Sequence, residues 1–384
     1  MRRVRTLLAA ALLAVILTPL AIRAQAPAPP GLSPENASLF REVFGMVLKE
    51  YVDPKSPADV VKGAVAGLVE SAGPECAYVP PDQVAAYRAL RAAGPALPLY
   101  VTKGQDFARV LAVFPGTDPA VRVGDALRFV DGRSTYDLTY PQVLEALRGA
   151  EGEPVRCSFL KAETWQTHAV TLQRQLPPAA SVSPLPGGAA ALLIPALEAA
   201  VPGDLAPRLA AVRGAVLVDL RGCASEDDEA ALSWLGLLTG DGEGLFDQGQ
   251  GPKRPHPVRG AGLLRGRTIR VLVDGTTARA GEILAAGLAK SGATLVGGPT
   301  FGWAPRFEDL PLNNGGLLRL LTGFYADAGG APIQQRPLQP VIALEAGETE
   351  APAAFRARAL RAAAPASPAA PVPDPKHARP TPRG

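Results

Sequence analysis

The stretch VDGTTARAGEILAAGL, residues 273–288, decides how this chain folds. The run leading into it, Ile269–Val273, is short, apolar and β-branched, as a buried strand is. An amphipathic helix is predicted over 279–290. Working outward, the same alternation repeats. Ala191–Ile194, Ala215–Leu220 and Thr294–Val296 read as further buried strands, and 204–212 and 228–239 as further amphipathic helices. Strands alternating with helices predict a mixed or parallel α/β core over 180–350.

Upstream the pattern changes. Leu97–Val101, Phe107–Val113, Ala126–Val130, Val155–Phe159 and Ala169–Leu172 are short apolar runs separated by turns and by one helix, Tyr140–Arg148. They predict a β domain over 95–176. Before it, Leu39, Val43, Met46, Val47 and Tyr51 recur at helical spacing. So do Val60, Val61, Val65, Leu68 and Val69, and a third helix is expected at Gln83–Arg91. Residues 27–94 therefore read as an N-terminal helical region.

The 384 residues suit two or three domains, and 47% apolar with 20% charged residues is enough for a sizeable core. The charge sits at the ends. Residues 1–23 carry four Arg and no acid, and 351–384 carry a net +5. Subtracting both from the overall +3 leaves −6 on residues 24–350, which excludes a nucleic-acid-binding body.

Arg2, Arg3 and Arg5 followed by the apolar run Leu7 to Ile22 and by Ala24 and Ala26 predict a signal peptide over 1–26. That places the protein in the periplasm or cell envelope, or outside the cell; membrane contact is expected only if the signal segment stays uncleaved. Residues 351–384, ending in AAAPASPAAPVPDPKHARPTPRG (362–384), predict a disordered Ala/Pro-rich tail. Three Cys and three scattered His match no metal motif, so neither metal nor cofactor is expected.

The order of several motifs resembles the carboxyl-terminal processing (tail-specific) serine peptidases over roughly 36–345. GPECAYVPPDQVAAY (73–87) resembles the segment after the family's N-terminal helices, and VRVGDALRFVDGRSTYDLTYPQVLEALRGAEGEPV (121–155) the later part of a PDZ domain. AVLVDLRG (215–222), VDGTTARAGEILAAGL (273–288), TLVGGPTFGWAPRFEDLPL (294–312) and LLRLLTGFYADAGGAPIQQRPLQPVIAL (317–344) resemble the protease core. The resemblance implies a multidomain α+β protein: N-terminal helices, a PDZ-like β domain and an α/β core of the ClpP/crotonase type.

It also implies a Ser–Lys dyad, in which a desolvated lysine takes the proton of a serine that attacks a peptide carbonyl. Here the dyad is missing. Aligning the family's Glu-Ile with Glu282-Ile283 puts Arg279 at the nucleophile position. Trp303 falls at the base position and Phe307 where a Gln would orient the lysine. Arg never deprotonates, and indole is not a base. The Ala280 N–H is left as a candidate oxyanion donor, while the loop GCASED (222–227) lacks the family's Pro-Gly-Gly.

Substitute nucleophiles are conceivable. Thr276 and Thr277 precede Arg279, with helix capping as their ordinary role. Cys223 sits in the oxyanion-side loop, as a small loop residue or half of a disulfide with Cys76. If the family geometry is kept, Arg279 and Trp303 meet as a cation–π pair and plug the cleft beside Phe307; the alternative has Arg279 turned out to solvent.

The PDZ-like domain departs from pattern too. Its carboxylate-binding loop corresponds to Ala96-Leu97-Pro98-Leu99, and Pro98 has no N–H to offer. Leu97, Leu99, Val143 and Leu147 either line a peptide groove or belong to the domain core. The expected function is a catalytically inactive homologue that binds polypeptide or a partner protein in the cell envelope. The alternative is an active serine-type endopeptidase, cleaving near protein C-termini with a non-standard nucleophile.

Overall fold

The computed structural model describes residues 31–90, 94–198, 201–347 and 349–362. The expected signal segment 1–26 lies outside the described residues, as does 363–384 of the expected tail. The chain divides into two compact units, residues 1–64 and 65–384. The division falls inside the segment read as one helical region, 27–94, whose later part belongs to the second unit.

In the first unit, helix α1 (Pro34–Glu50) starts at Ser33, whose hydroxyl accepts the Asn36 N–H at 3.2 Å, and Pro34 suits the first turn. None of its residues is buried. Helix α2 (Pro57–Glu70) runs across the division.

The second unit opens with strand β1 (Ala77–Val79) and helix α3 (Val84–Leu90). An antiparallel sheet follows, made of β2 (Leu99–Thr102), β3 (Ala108–Val113), β4 (Ala126–Val130), β5 (Arg133–Ser134), β6 (Pro154–Leu160) and β7 (Thr167–Gln173). Its order is β2-β3-β4-β6-β7, with β5 against β4. Helix α4 (Tyr140–Leu147) sits between β5 and β6 in the chain and buries Val143 and Leu147 with Leu97, Leu99 and Phe159 of this domain.

Next come β8 (Ser181–Leu185), β9 (Ala189–Leu193), α5 (Leu205–Ala211), β10 (Val216–Asp219), α6 (Asp228–Thr239), β11 (Gly242–Gly249) and β12 (Arg254–Val258). They are followed by β13 (Ile269–Val273), α7 (Ala280–Lys290), β14 (Thr294–Gly297), β15 (Pro305–Pro311), β16 (Leu317–Tyr325), β17 (Ile342–Ala343) and α8 (Pro352–Arg361). Strands β9, β10, β13, β14 and β17 pair in parallel, with β8 antiparallel at one edge. A third, antiparallel sheet runs β1-β16-β11-β12 with β15 on β16.

The parallel strands are apolar on both faces, because both faces are covered. On one face Leu192, Val218, Val271 and Val273 pack with Leu235, Ile283, Leu284 and Leu288 of α6 and α7. On the other, Ala191, Leu217, Leu272 and Val296 pack with Phe355, Ala357 and Ala359 of α8.

Helix α8 corrects the reading of 351–384 as one disordered tail. PAAFRARALR has too few large apolar residues to show a stripe, but Ala and Arg are good helix formers and a single Phe supplies the anchor. Arg356 adds an ion pair of 2.8 Å to the buried Asp219, which also holds Arg221 at 2.8 Å. Burial alone would raise the Asp219 carboxyl; the two guanidiniums outweigh it and hold it below its ordinary value. Phe355→Ala should lower stability by about 3 kcal/mol in urea unfolding, since the large side chain is buried against the sheet.

Candidate functional site

Helix α7 begins from a strained residue. Arg279 has φ +52° and ψ −122°, a backbone state that costs a non-glycine residue about 1–3 kcal/mol and persists only where surroundings impose it. The Arg279 N–H donates to the Trp303 carbonyl at 2.8 Å. Its side chain, 2% exposed, runs inward. There one guanidinium nitrogen donates to the Val101 carbonyl at 2.8 Å and to the Glu75 carboxylate, and the other lies 3.6 Å from Glu226.

A second arginine completes the cluster. Arg319 of β16 lies 4.0 Å from Glu75 and 3.8 Å from Glu226. Tyr140 donates to Glu226, and both guanidiniums lie over its ring, at 5.9 Å for Arg279 and 5.4 Å for Arg319. Thr102 donates to Glu75 at 2.7 Å. Two cations and two anions thus balance one another, with Glu75, Arg279 and Arg319 buried and Glu226 half-buried. Burial opposes the charge on both arginines. Glu75, with Tyr140 and Glu226, outweighs it for Arg279, and Tyr87, Glu226, Tyr140 and Glu75 together outweigh it for Arg319, so both are held above the usual range. The cavity left between them is about 20 Å³, room for about one water and not for a peptide.

Of the other two substituted positions, Phe307 stands beside the filled cleft as expected, whereas Trp303 does not act as expected from the sequence. The Arg279–Trp303 cation–π pair does not form: the indole packs edge-on against Phe324, with centroids 4.9 Å apart. Carboxylates beside a buried guanidinium offer a full opposite charge, which an indole face does not. Arg279 does not turn out to solvent either. Phe307 lies under Arg319, 4.1 Å from ring centroid to guanidinium.

The Ala280 N–H, the candidate oxyanion donor, is already engaged by the Ser225 carbonyl at 3.1 Å. The loop 222–227 is folded against the head of α7 in several places. Gly222 N–H donates to Thr276 Oγ1 at 2.7 Å, and the Cys223 carbonyl accepts the Ala278 N–H at 3.0 Å. A side chain on Gly281 would meet that carbonyl at 2.3 Å, so the contact requires glycine. Thr276 and Thr277 do not cap α7. Thr276 donates to Asp274, and Thr277 donates to the Leu220 carbonyl at 3.0 Å and accepts the Asp274 N–H at 3.2 Å.

All three cysteines are unpaired and buried, so the Cys76–Cys223 disulfide is absent. Burial pushes the Cys223 thiol up to about 12, and a buried thiol of that kind is inert. Iodoacetamide at pH 8 should leave Cys223 unmodified in the native protein and alkylate it after denaturation, as read by peptide mapping.

Glu282 is a further titratable residue of the site, on the first turn of α7. One carboxylate oxygen accepts from Thr300 and, at 2.7 Å, from the Gly302 N–H; the other accepts the Trp303 N–H at 2.7 Å. It thereby holds the loop 300–303 against the helix. Burial pushes its carboxyl up to about 7, against the pull of the hydrogen bonds from Thr300, Trp303 and Gly302.

Leu97, Leu99, Val143 and Leu147 are all buried in the core of the β2–β7 domain, and Leu97, Leu99 and Leu147 also wall a cavity of about 110 Å³ beside it. The loop before β2 has no free nest. Ala96 N–H donates to the Gln175 carbonyl at 3.0 Å, Leu97 N–H to Leu147 at 2.9 Å and Leu99 N–H to Leu97 at 2.7 Å. Among the described residues no group of three or more His, Cys, Asp or Glu is placed to hold a metal, and no helix is long and apolar enough to cross a membrane.

Sequence reasoning missed Glu75, Glu226, Tyr140 and Arg319 as members of this site. Arg319 carried a signal in hindsight, a lone cation inside Leu-Leu-Arg-Leu-Leu. Glu282 carried another, a lone acid in an otherwise apolar helix.

Residues 194–344 match the family model described as Peptidase family S41. The chain is 24% identical over 324 residues to a carboxy-terminal-processing protease of Bartonella bacilliformis, covering 80% of this chain and 74% of that protein. Its fold is similar to that of a solved photosystem II D1 C-terminal processing protease, with a TM-score of 0.61, 20% identity, and coverage of 80% of this chain and 87% of the other. The chain is thus similar to carboxy-terminal-processing proteases over most of its length, and its mixed α/β fold is similar to that of a solved one.

Proposed function

We propose that this chain is an exported, catalytically inactive homologue of the carboxyl-terminal processing peptidases. In this reading residues 95–176 are a PDZ-like domain and 180–350 a core of the ClpP/crotonase type. Its role is to bind polypeptide or a partner protein in the cell envelope. The carrying observation is Arg279: the residue at the head of α7 is a buried cation tied to Glu75, in a space of about 20 Å³. No nucleophile stands there, and the Ala280 N–H beside it is occupied by Ser225. An acyl transfer needs a nucleophile, a base in reach and free oxyanion donors. The residues at this helix start supply none of the three. The alternative nucleophiles fare no better, since Thr277 and Cys223 are fully buried and Thr276 is held between Asp274 and Gly222.

A fluorophosphonate probe on the purified protein tests this. The expected result is no covalent labelling and no turnover of casein. Labelling mapped to Thr276, Thr277 or Cys223 would establish a working endopeptidase with an unusual nucleophile.

A further inference from the structure

A second cavity, of about 110 Å³, lies between the β2–β7 domain and the head of α6. Its walls are largely apolar, with Leu97, Leu99, Tyr100, Phe114, Leu144 and Leu147 among them. On this scale an engineered apolar cavity of about 150 Å³ admits benzene, so a chain of four or five heavy atoms fits.

The polar groups at its rim are mostly engaged. Asp227 accepts the Ala230 N–H at 3.0 Å at the head of α6. Glu226 and Arg319 belong to the buried cluster, where their charges are balanced. Arg319 Nε makes no hydrogen bond, but its guanidinium lies over Phe307 at 4.1 Å and faces Glu75 and Glu226. Arg148 has a partner of its own. Gln175 is tied to Ala96 through the backbone.

Glu198 differs. Its Oε1 accepts the Tyr100 hydroxyl at 2.6 Å, and its Oε2 is buried with no partner among the described residues. Burial, then Glu198 itself, hold the Tyr100 hydroxyl well above its ordinary value, so it stays a neutral donor. A buried carboxylate oxygen without a donor is costly unless a ligand supplies one. The backbone N–H groups that would instead receive a carboxylate, at Ala96, Leu97 and Leu99, all have partners, and Pro98 has none to give.

We propose that this cavity binds a primary alkylammonium, supplied by the lysine side chain of a bound polypeptide, with the ammonium on Glu198 and the methylenes against the leucines. The inference rests on the polypeptide-binding reading above and reverses the polarity of its recognition: a cation, not a chain-terminal carboxylate.

The test uses the full chain and n-butylammonium, 1-butanol and pentanoate, with binding read by ligand-detected NMR titration. Butylammonium should bind at least tenfold more tightly than either of the others. Glu198→Gln, which keeps an acceptor for Tyr100, should erase that preference without changing the melting temperature. Leu144→Phe should remove binding of all three by filling the cavity. Pentanoate binding as tightly as butylammonium would overturn the proposal, as would an ammonium preference that survives in Glu198→Gln. N-acetyl-lysine N-methylamide and cadaverine separate the sources: binding of the first supports a polypeptide lysine, and binding of cadaverine alone overturns that assignment. Unfolded casein keeps the two readings apart. If casein binds and butylammonium does not, this inference alone falls; if butylammonium binds and casein does not, the polypeptide-binding reading falls.

Discussion

Restoring a serine and a lysine, by Arg279→Ser with Trp303→Lys, should yield a protein that still fails to hydrolyse casein and is less stable by roughly 3–5 kcal/mol. That is the usual scale for removing one partner of a buried ion pair. Arg279 is the direct partner of Glu75, 1% exposed, and a near neighbour of Glu226. Serine leaves one charge too few in the cluster, with Arg319 alone facing two carboxylates at 3.8–4.0 Å. Nor is backbone strain relieved, because serine at φ +52° is no better placed than arginine. Activity stays absent for separate reasons. Ala280 N–H still meets Ser225, and Phe307 still cannot orient a lysine. Loss of one oxyanion donor alone costs about 10²–10³ in rate. The measurements are urea unfolding and casein turnover. Robust hydrolysis by the double variant, or unchanged stability, would refute the account of the cluster. A triple variant that also carries Glu75→Gln should recover part of the lost stability, because it removes the carboxylate left unpaired.

The parallel sheet was legible because its strands are short apolar runs and its helices amphipathic, and neither needs distant partners to be recognised. Ile269–Val273 and the helix from Ala280 lie within a residue or so of their predicted positions. Strands β11 and β12 were not legible. GEGLFDQG and RPHPV carry Gly, Pro and charge, and they become strands only because β16 and each other complete their hydrogen bonds. Helix α8 failed for a related reason, since its apolar content is four alanines, one leucine and one phenylalanine against a sheet face supplied from elsewhere. The site divides the same way. The missing Ser and Lys could be read by aligning motifs, whereas the partner of Arg279 lies 204 residues away. No local pattern announces a salt bridge of that span. The expected Trp303 contact erred because the sequence shows which residues share a cleft but not which of them carries the compensating charge.

Glu282→Ala should be among the most damaging single changes in the chain, destabilising it by about 3 kcal/mol or more. The carboxylate satisfies three donors, the Thr300 hydroxyl and the Gly302 and Trp303 N–H groups, and Glu282 is fully buried. Each donor left buried and unpaired costs about 1–3 kcal/mol. Glu282→Gln is milder, since its amide oxygen can still accept from two donors while its NH₂ group opposes the third. The same residue sets a pH dependence. Its carboxyl rises from the ordinary 4.5 to about 7 on folding, so the folded protein holds a proton that the unfolded chain releases. The resulting stabilisation is fully present below pH 4.5 and is lost as pH rises through 7. The span corresponds to about 3 kcal/mol at about 1.4 kcal/mol per unit. Urea unfolding followed between pH 5 and 8 should show this component in the parent chain and lack it in Glu282→Gln. Parallel pH profiles for the two proteins would mean that Glu282 titrates alike in the folded and unfolded chains, and would refute this pH dependence.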